Sequence, residues 1–260
     1  MARPLNRLPR RFHLAYFLLA VGLGVGAGAL VVLLARPGPD RTPWSDWKPA
    51  GRGLAATQEI AGHIGTRYRL PSGGQLVGII AKGPELEPQA GQRVAVSAVA
   101  VSSGLPDERI DEIKVFRAND AILYILCGIG GEACSIPGQP STERMTLLRR
   151  EGLELALYTF KYVDGVSSVI AIVPPRQGQQ PSTALFFRRG DYDDSLSVPL
   201  YRTLPPRERL TPGSLPTGEE KRVRQLTLAD PVQERFSGIY AYQFQPLPDA
   251  TAMVVLSPAA

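Results

Sequence analysis

The rhythm of apolar and polar positions changes several times along this chain, and each change marks an element. No charge interrupts the apolar run from Leu14 to Ala35 (LAYFLLAVGLGVGAGALVVLLA). As a helix rising about 1.5 Å per residue it reaches roughly 33 Å, enough for a hydrocarbon core of about 30 Å. Leu54–Tyr68 then carries apolar residues at helical spacing (54, 60, 61, 64 and 68). Gln75–Lys82 and Arg93–Val101 read as strands. Ile110–Phe116 and Ala121–Cys127 read as a hairpin around Arg117–Asp120.

The strongest helical pattern runs from Thr142 to Val163, with Ser141 as its N-cap and Glu143 in its first turn. Met145, Leu148, Leu153, Leu155, Ala156, Thr159, Phe160, Tyr162 and Val163 form one broad face. Glu143, Arg150, Glu151, Glu154 and Lys161 form the other. So wide an apolar arc places the helix flat on a sheet. Val166–Val173 and Thr183–Arg188 follow as strands. Five prolines between Pro199 and Pro216 mark a loop. Arg222–Leu228, Ile239–Phe244 and Ala252–Leu256 are three further short strand patterns.

The fold class expected is therefore α+β, a mixed or antiparallel sheet with one long packed helix behind an N-terminal transmembrane helix. Its parts are a basic arm (1–13), the membrane helix (14–35), a Pro-rich spacer (36–52), an α+β domain (53–198), a Pro-rich loop (199–220) and a C-terminal β segment packed on the domain (221–260). About 45 residues hardly build a core alone, so this last segment completes the sheet. Trp44 and Trp47 sit in the spacer. They belong either to the membrane interface or to the first packed residues of the domain.

The net charge of +5 changes little in this picture. Arg3, Arg7, Arg10 and Arg11 precede any acidic residue, and without them 25 basic residues face 24 acidic ones. The excess is a short arm and not a nucleic-acid groove. The arm does set orientation: by the positive-inside rule the N-terminus is cytoplasmic and residues 36–260 are extracytoplasmic. A cleaved leader ending at Ala27-Gly28-Ala29 would start the mature chain on the apolar Leu30–Leu34, which favours an uncleaved anchor.

Sidedness decides the chemistry of the two cysteines. Cys127 and Cys134 have six residues between them. Outside the membrane they face an oxidising space. A metal site would need further ligands, yet the chain has two histidines, His13 and His63, and neither is nearby. Gly128, Gly130 and Gly131 permit a tight return. A disulfide is expected, contributing roughly 2–3 kcal/mol in the chain-entropy treatment.

Other candidates are thinner. Ser45-Asp46-Trp47-Lys48 has the Ser-x-x-Lys spacing of penicillin-recognising enzymes but none of their partner motifs. His63 lacks a nucleophile motif and reads as a surface histidine. Asp191, Asp193 and Asp194 lack the spacing of a calcium loop and read as a solvated hairpin end beside Arg188 and Arg189. Arg144, Arg149 and Arg150 offer either an anion site, for a wall polymer or lipid headgroup, or partners for Glu143, Glu151 and Glu154. Gly22, Gly24, Gly26 and Gly28 have either the spacing of close helix packing in a membrane, which would make a homodimer, or only the glycine content common in membrane helices.

Trp44-Ser-Asp-Trp-Lys-Pro, Cys127-Gly-Ile-Gly, Pro140-Ser-Thr-Glu-Arg, Leu148-Arg-Arg-Glu, Leu155-Ala-Leu-Tyr-Thr-Phe and Ala184-Leu-Phe-Phe-Arg-Arg-Gly-Asp together resemble a family of bacterial single-pass membrane proteins with no assigned activity. The resemblance covers most of the chain and implies the anchored architecture. Leu155–Pro174 (LALYTFKYVDGVSSVIAIVP) is also similar to the helix–strand segment of GerMN domains, extracytoplasmic α+β modules.

Three functions follow as expectations. The first is an envelope interaction or structural module without an active site or cofactor, held to lipid by residues 14–35 and meeting an envelope protein or polymer. The second is a hydrolase or transferase on envelope polymers, using a carboxylate pair among Asp191, Asp193, Glu143 and Glu151. The third is a bitopic subunit of a membrane complex.

Overall fold

The computed structural model describes residues 10–35, 42–89, 92–102, 113–129, 134–230 and 233–258. It separates into an N-terminal unit, Met1–Pro43, and a compact unit, Trp44–Ala260. The N-terminal unit holds the helix α1, Arg10–Ala35. Its described side chains include Tyr16, Phe17, Leu18, Leu19, Val21, Leu23 and Val25, all exposed. Among the described residues no helix is long and apolar enough to cross a membrane. In α1 the unbroken stretch of described side chains runs only from residue 15 to residue 27.

The compact unit is α+β. Its strands are β1 (Gly78–Lys82), β2 (Glu85–Gln89), β3 (Gln92–Val101), β4 (Lys114–Arg117), β5 (Ala121–Cys127), β6 (Ser168–Ile172), β7 (Thr183–Arg188), β8 (Gly238–Pro246) and β9 (Ala252–Pro258). Its helices are α2 (Gly53–Gly65), α3 (Thr142–Tyr162), α4 (Asp193–Ser197), α5 (Leu200–Thr203) and α6 (Thr217–Leu226). The sheet has nine strands in the order β1-β5-β6-β7-β8-β9-β3-β2, and β4 also pairs with β3. Two neighbouring pairs are parallel, β5 with β6 and β3 with β9. The rest are antiparallel, so the sheet is mixed, and residues 221–260 supply two of its strands.

Period-2 alternation gives the sheet two dry faces. Ile122, Tyr124 and Leu126 of β5, Val169 and Ala171 of β6, and Leu185 and Phe187 of β7 point toward the helices. Ile60 and Ile64 of α2, Leu148, Leu155 and Phe160 of α3, and Val223 of α6 cover them. Leu123, Ile170, Ile172 and Phe186 point the other way, where they meet Val96, Val99 and Val101 of β3 and Val254 and Leu256 of β9. Phe116 of β4 lies 5.5 Å from Phe186 of β7, although the two strands are far apart in the sheet order. The sheet therefore curls over its own second face.

Two sequence expectations need correction. β4 and β5 do not form a hairpin: β4 pairs with β3, and β5 sits between β1 and β6. Burial explains the choice. Ala121–Tyr124 are buried on both faces, which demands an interior strand, whereas Lys114, Val115 and Arg117 are exposed and suit an edge. Arg222–Leu228 is not a strand, because residues 222–226 are the last turns of α6. Glu219 and Glu220 favour a helix start there, and Val223 and Leu226, three apart, share one helical face. The Pro-rich stretch from 199 also contains the short helix α5.

Trp44 belongs to the domain. Its ring packs edge-on against Tyr158 and Tyr162 of α3. Its Nε1 donates to Ser195 O at 3.3 Å, and its carbonyl accepts from Leu200 N at 2.6 Å.

Candidate functional site

β5, α3 and β6 form a strand–helix–strand unit whose two strands are parallel. The carboxyl ends of such strands are where a concavity collects loops and a helix start. The structure has an open crevice of about 450 Å³ there. Ile136, Gly138 and Pro140, from the link between Cys134 and α3, form one wall. Ser141, Thr142, Arg144, Met145 and Leu148 of the α3 start form the second. Pro174, Pro175, Arg176 and Gln177, just beyond β6, form the third.

The disulfide anchors the first wall. Cys127 closes β5 and is bonded to Cys134. Gly128 N donates to Cys134 O at 2.7 Å. A Cβ on Gly128 would collide with Ser135 O, so only glycine lets the returning chain press this closely on the strand end. Cys134 itself adopts φ +63°. Ser135 and Ile136 are then buried, and the chain enters α3 through Ser141, whose Oγ accepts from Arg144 N at 3.2 Å.

The crevice has an apolar floor (Ile136, Met145, Leu148) and a cationic rim. Arg144 Nη1 reaches Gly138 O at 3.5 Å, and its Nε has no hydrogen-bond partner. Arg176 is exposed on the opposite wall. Among the described residues neither arginine has an ion pair. Among the described residues no carboxylate, histidine or cysteine lines the crevice. Glu143, next in sequence, is exposed. Its own backbone N–H and the Ser141 hydroxyl hold its carboxyl below the usual range.

The other expected arginines do different things. Arg150 is locked inside the fold. Its Nε donates to Glu219 Oε1 (2.8 Å), its Nη1 to Tyr68 OH (2.6 Å) and Glu154 Oε2 (3.1 Å), and its Nη2 to Pro205 O (2.7 Å). Arg67 lies 2.8 Å from Glu154, and Arg207 2.8 Å from Glu219. Burial alone would favour a neutral guanidine, but Tyr68, Glu154 and Glu219 outweigh it and keep Arg150 more firmly protonated than usual. Arg149 is half-buried, and its pKa is lowered by burial and by Arg224. Only Arg144 of the expected three reaches the crevice.

The expected carboxylates are scattered. Asp191 accepts from the Ser237 hydroxyl (2.6 Å) and backbone N–H (3.0 Å), tying the end of β7 to β8. Asp193 opens α4 in solvent. Glu151 is fully buried with both oxygens unpartnered. Burial first, and then Glu154, pushes its carboxyl well above the usual range. None of these carboxylates lines the crevice. His63 stacks on Trp47 with centroids 4.0 Å apart, half-buried, its pKa lowered by burial and by Arg67. Ser45 Oγ meets Tyr162 OH at 2.6 Å, while Lys48 is exposed. The described residues contain no cluster of three or more potential metal ligands. On α1, Gly22, Gly24 and Gly26 have open space beside them, and Gly28 lies outside the described side chains.

Sequence reasoning missed Arg176. The signal was present: two strand patterns flanking a helix imply a parallel pair, and Pro-Pro-Arg directly ends the second strand. Compared with family models, curated proteins and solved structures, the chain matches none.

Proposed function

We propose that the protein is a membrane-anchored, extracytoplasmic binding module of the bacterial envelope, with the crevice beyond β5 and β6 as its ligand site. The crevice carries this reading: its rim offers Arg144 and Arg176, neither with an ion pair among the described residues, and its described lining holds hydroxyls but no carboxylate, histidine or cysteine. Such a lining is equipped to hold a ligand. The scattered carboxylates weigh against the hydrolase alternative.

Export is supported by two independent features. A disulfide persists in oxidising compartments. The chain from Leu14 to Ala35 carries no charge, and the described part of α1 exposes large apolar side chains all round, an arrangement suited to lipid and costly in water.

A reporter enzyme active only outside the cytoplasm, fused after Ala260, tests this topology. Activity is expected, together with cysteines that resist alkylation until reduced. A fusion active only in its cytosolic form removes the envelope role.

A further inference from the structure

We infer that the crevice takes the phosphoryl group of an amphipathic phosphate monoester, with Arg144 and Arg176 gripping the anion and the floor holding its carbon skeleton. This rests on reading the protein as a binding module and names the chemistry of that same site.

Charge matching comes first. Two arginines line the crevice from separate elements, one from α3 and one from the segment beyond β6, with no ion pair among the described residues. Elsewhere on α3 the chain shows what arginine does when it serves the fold: Arg150 has four hydrogen bonds and two carboxylates. Arg144, six residues earlier on the same helix, has no ion pair among the described residues, one long contact to a carbonyl, and a buried Nε without a partner. A single carboxylate would leave one of the two crevice cations uncompensated. A phosphate monoester, carrying about −1.5 to −2 at neutral pH with three acceptor oxygens, matches both.

The floor then narrows the ligand. Ile136, Met145 and Leu148 are apolar, so inorganic phosphate alone would leave that surface wet. Ser141 and Thr142 are exposed at the rim beside Arg144, where hydroxyls and the start of a 21-residue helix add favourable potential for an anion. The wall bearing Ile136 is held by the disulfide and by the Gly128–Cys134 hydrogen bond, so the site is preformed on two strand ends and a helix.

The full chain in a neutral detergent micelle should bind phenyl phosphate saturably, more tightly than inorganic phosphate, and more weakly as salt rises. Arg144→Gln and Arg176→Gln should each weaken it about tenfold or more, the range of a lost charge-assisted contact. Arg176→Lys should restore part of the loss, and Arg117→Gln on the edge strand β4 should leave binding unchanged. Melting curves of both Gln variants should match the parent, since neither residue is held in an ion pair.

The same chain in nanodiscs doped with phosphatidate separates the two sources of such a monoester. Binding of phenyl phosphate that phosphatidate blocks identifies a lipid headgroup, and binding that it does not block identifies a soluble ester. The inference is overturned if neither probe saturates, if benzoate binds as tightly as phenyl phosphate, or if the two Gln variants bind like the parent. Because export is read separately by the fusion after Ala260, a negative result here with an exported C-terminus discards the phosphate and leaves the module.

Discussion

The two faces of the sheet solve the same burial problem differently. The second face is closed by the curl of the sheet, and its buried residues Val96, Val99, Leu123, Ile170, Phe186 and Val254 bring no charge. The first face is closed by α2, α3 and α6, and among them lie Arg150, Glu151, Glu154 and Glu219, all buried. Strands carry their own hydrogen-bonded neighbours, so a curled face needs only shape. Helices from distant parts of the chain need something that fixes their register, and here a charge network ties α3 to the segment after α2, to Pro205 and to α6. Buried ion pairs add little net stability but are punishing when half removed.

That difference is breakable, and the largest effects come from one buried residue on each face. Arg150→Met leaves Glu154 and Glu219 buried without their shared partner, and should lower unfolding free energy by about 3–5 kcal/mol in denaturant melts. The triple variant Arg150→Met, Glu154→Gln, Glu219→Gln should recover part of that loss. Phe186→Ala, fully buried on the dry face, should lose a comparable ~3–5 kcal/mol from its cavity, with no polar partner whose removal rescues it. A rescue in the second case, or none in the first, would show that the two faces do not differ in kind.

Next comes the bridge at the crevice. Replacing Cys127 and Cys134 by serine should cost about 2–3 kcal/mol, and reducing the parent should cost the same. If the crevice wall depends on the bridge, phenyl phosphate affinity falls in the same samples.

The smallest effect is a gain. Glu151 keeps its proton in the fold above the usual 4.5, while the unfolded chain releases it near that value. The folded state therefore binds more protons over that interval, and stability declines as pH rises from about 4.5 toward the folded value. Glu151→Gln removes this linkage. It should be more stable than the parent at neutral pH, with the gap closing below about pH 4.5. A gap that widens in acid would contradict the neutral assignment.

The elements of both faces were legible in the sequence, including the strand runs at 93–101, 239–244 and 252–256, but the pairing of the strands was not. The apolar arc of Thr142–Val163 placed the long helix within one residue, and the runs at 121–127 and 183–188 matched their strands. Periodicity reports which side of an element is dry, and those elements pack on immediate neighbours. It does not report which strand lies beside which. β4 and β5 looked like a hairpin because they are adjacent in sequence, yet the burial of Ala121–Tyr124 on both faces required an interior position that only the whole sheet defines. Arg222–Leu228 failed for the opposite reason: three apolar residues among polar ones fit either period, and contact of α6 with α3 decided. In the site, the cysteine pair followed from its spacing, its glycines and the compartment expected for it. The three arginines on α3 looked alike in sequence, and only their depth in the fold separates Arg144 from Arg149 and Arg150.

That separation is the centre of the functional account, and one titration reads it directly. Phenyl phosphate added to the full chain, observed through the arginine Nε–Hε resonances, should move Arg144 and Arg176 together along one saturation curve while Arg150 stays fixed. Movement of Arg150 with Arg144, or of exposed arginines throughout the surface without saturation, would contradict a ligand site at the crevice.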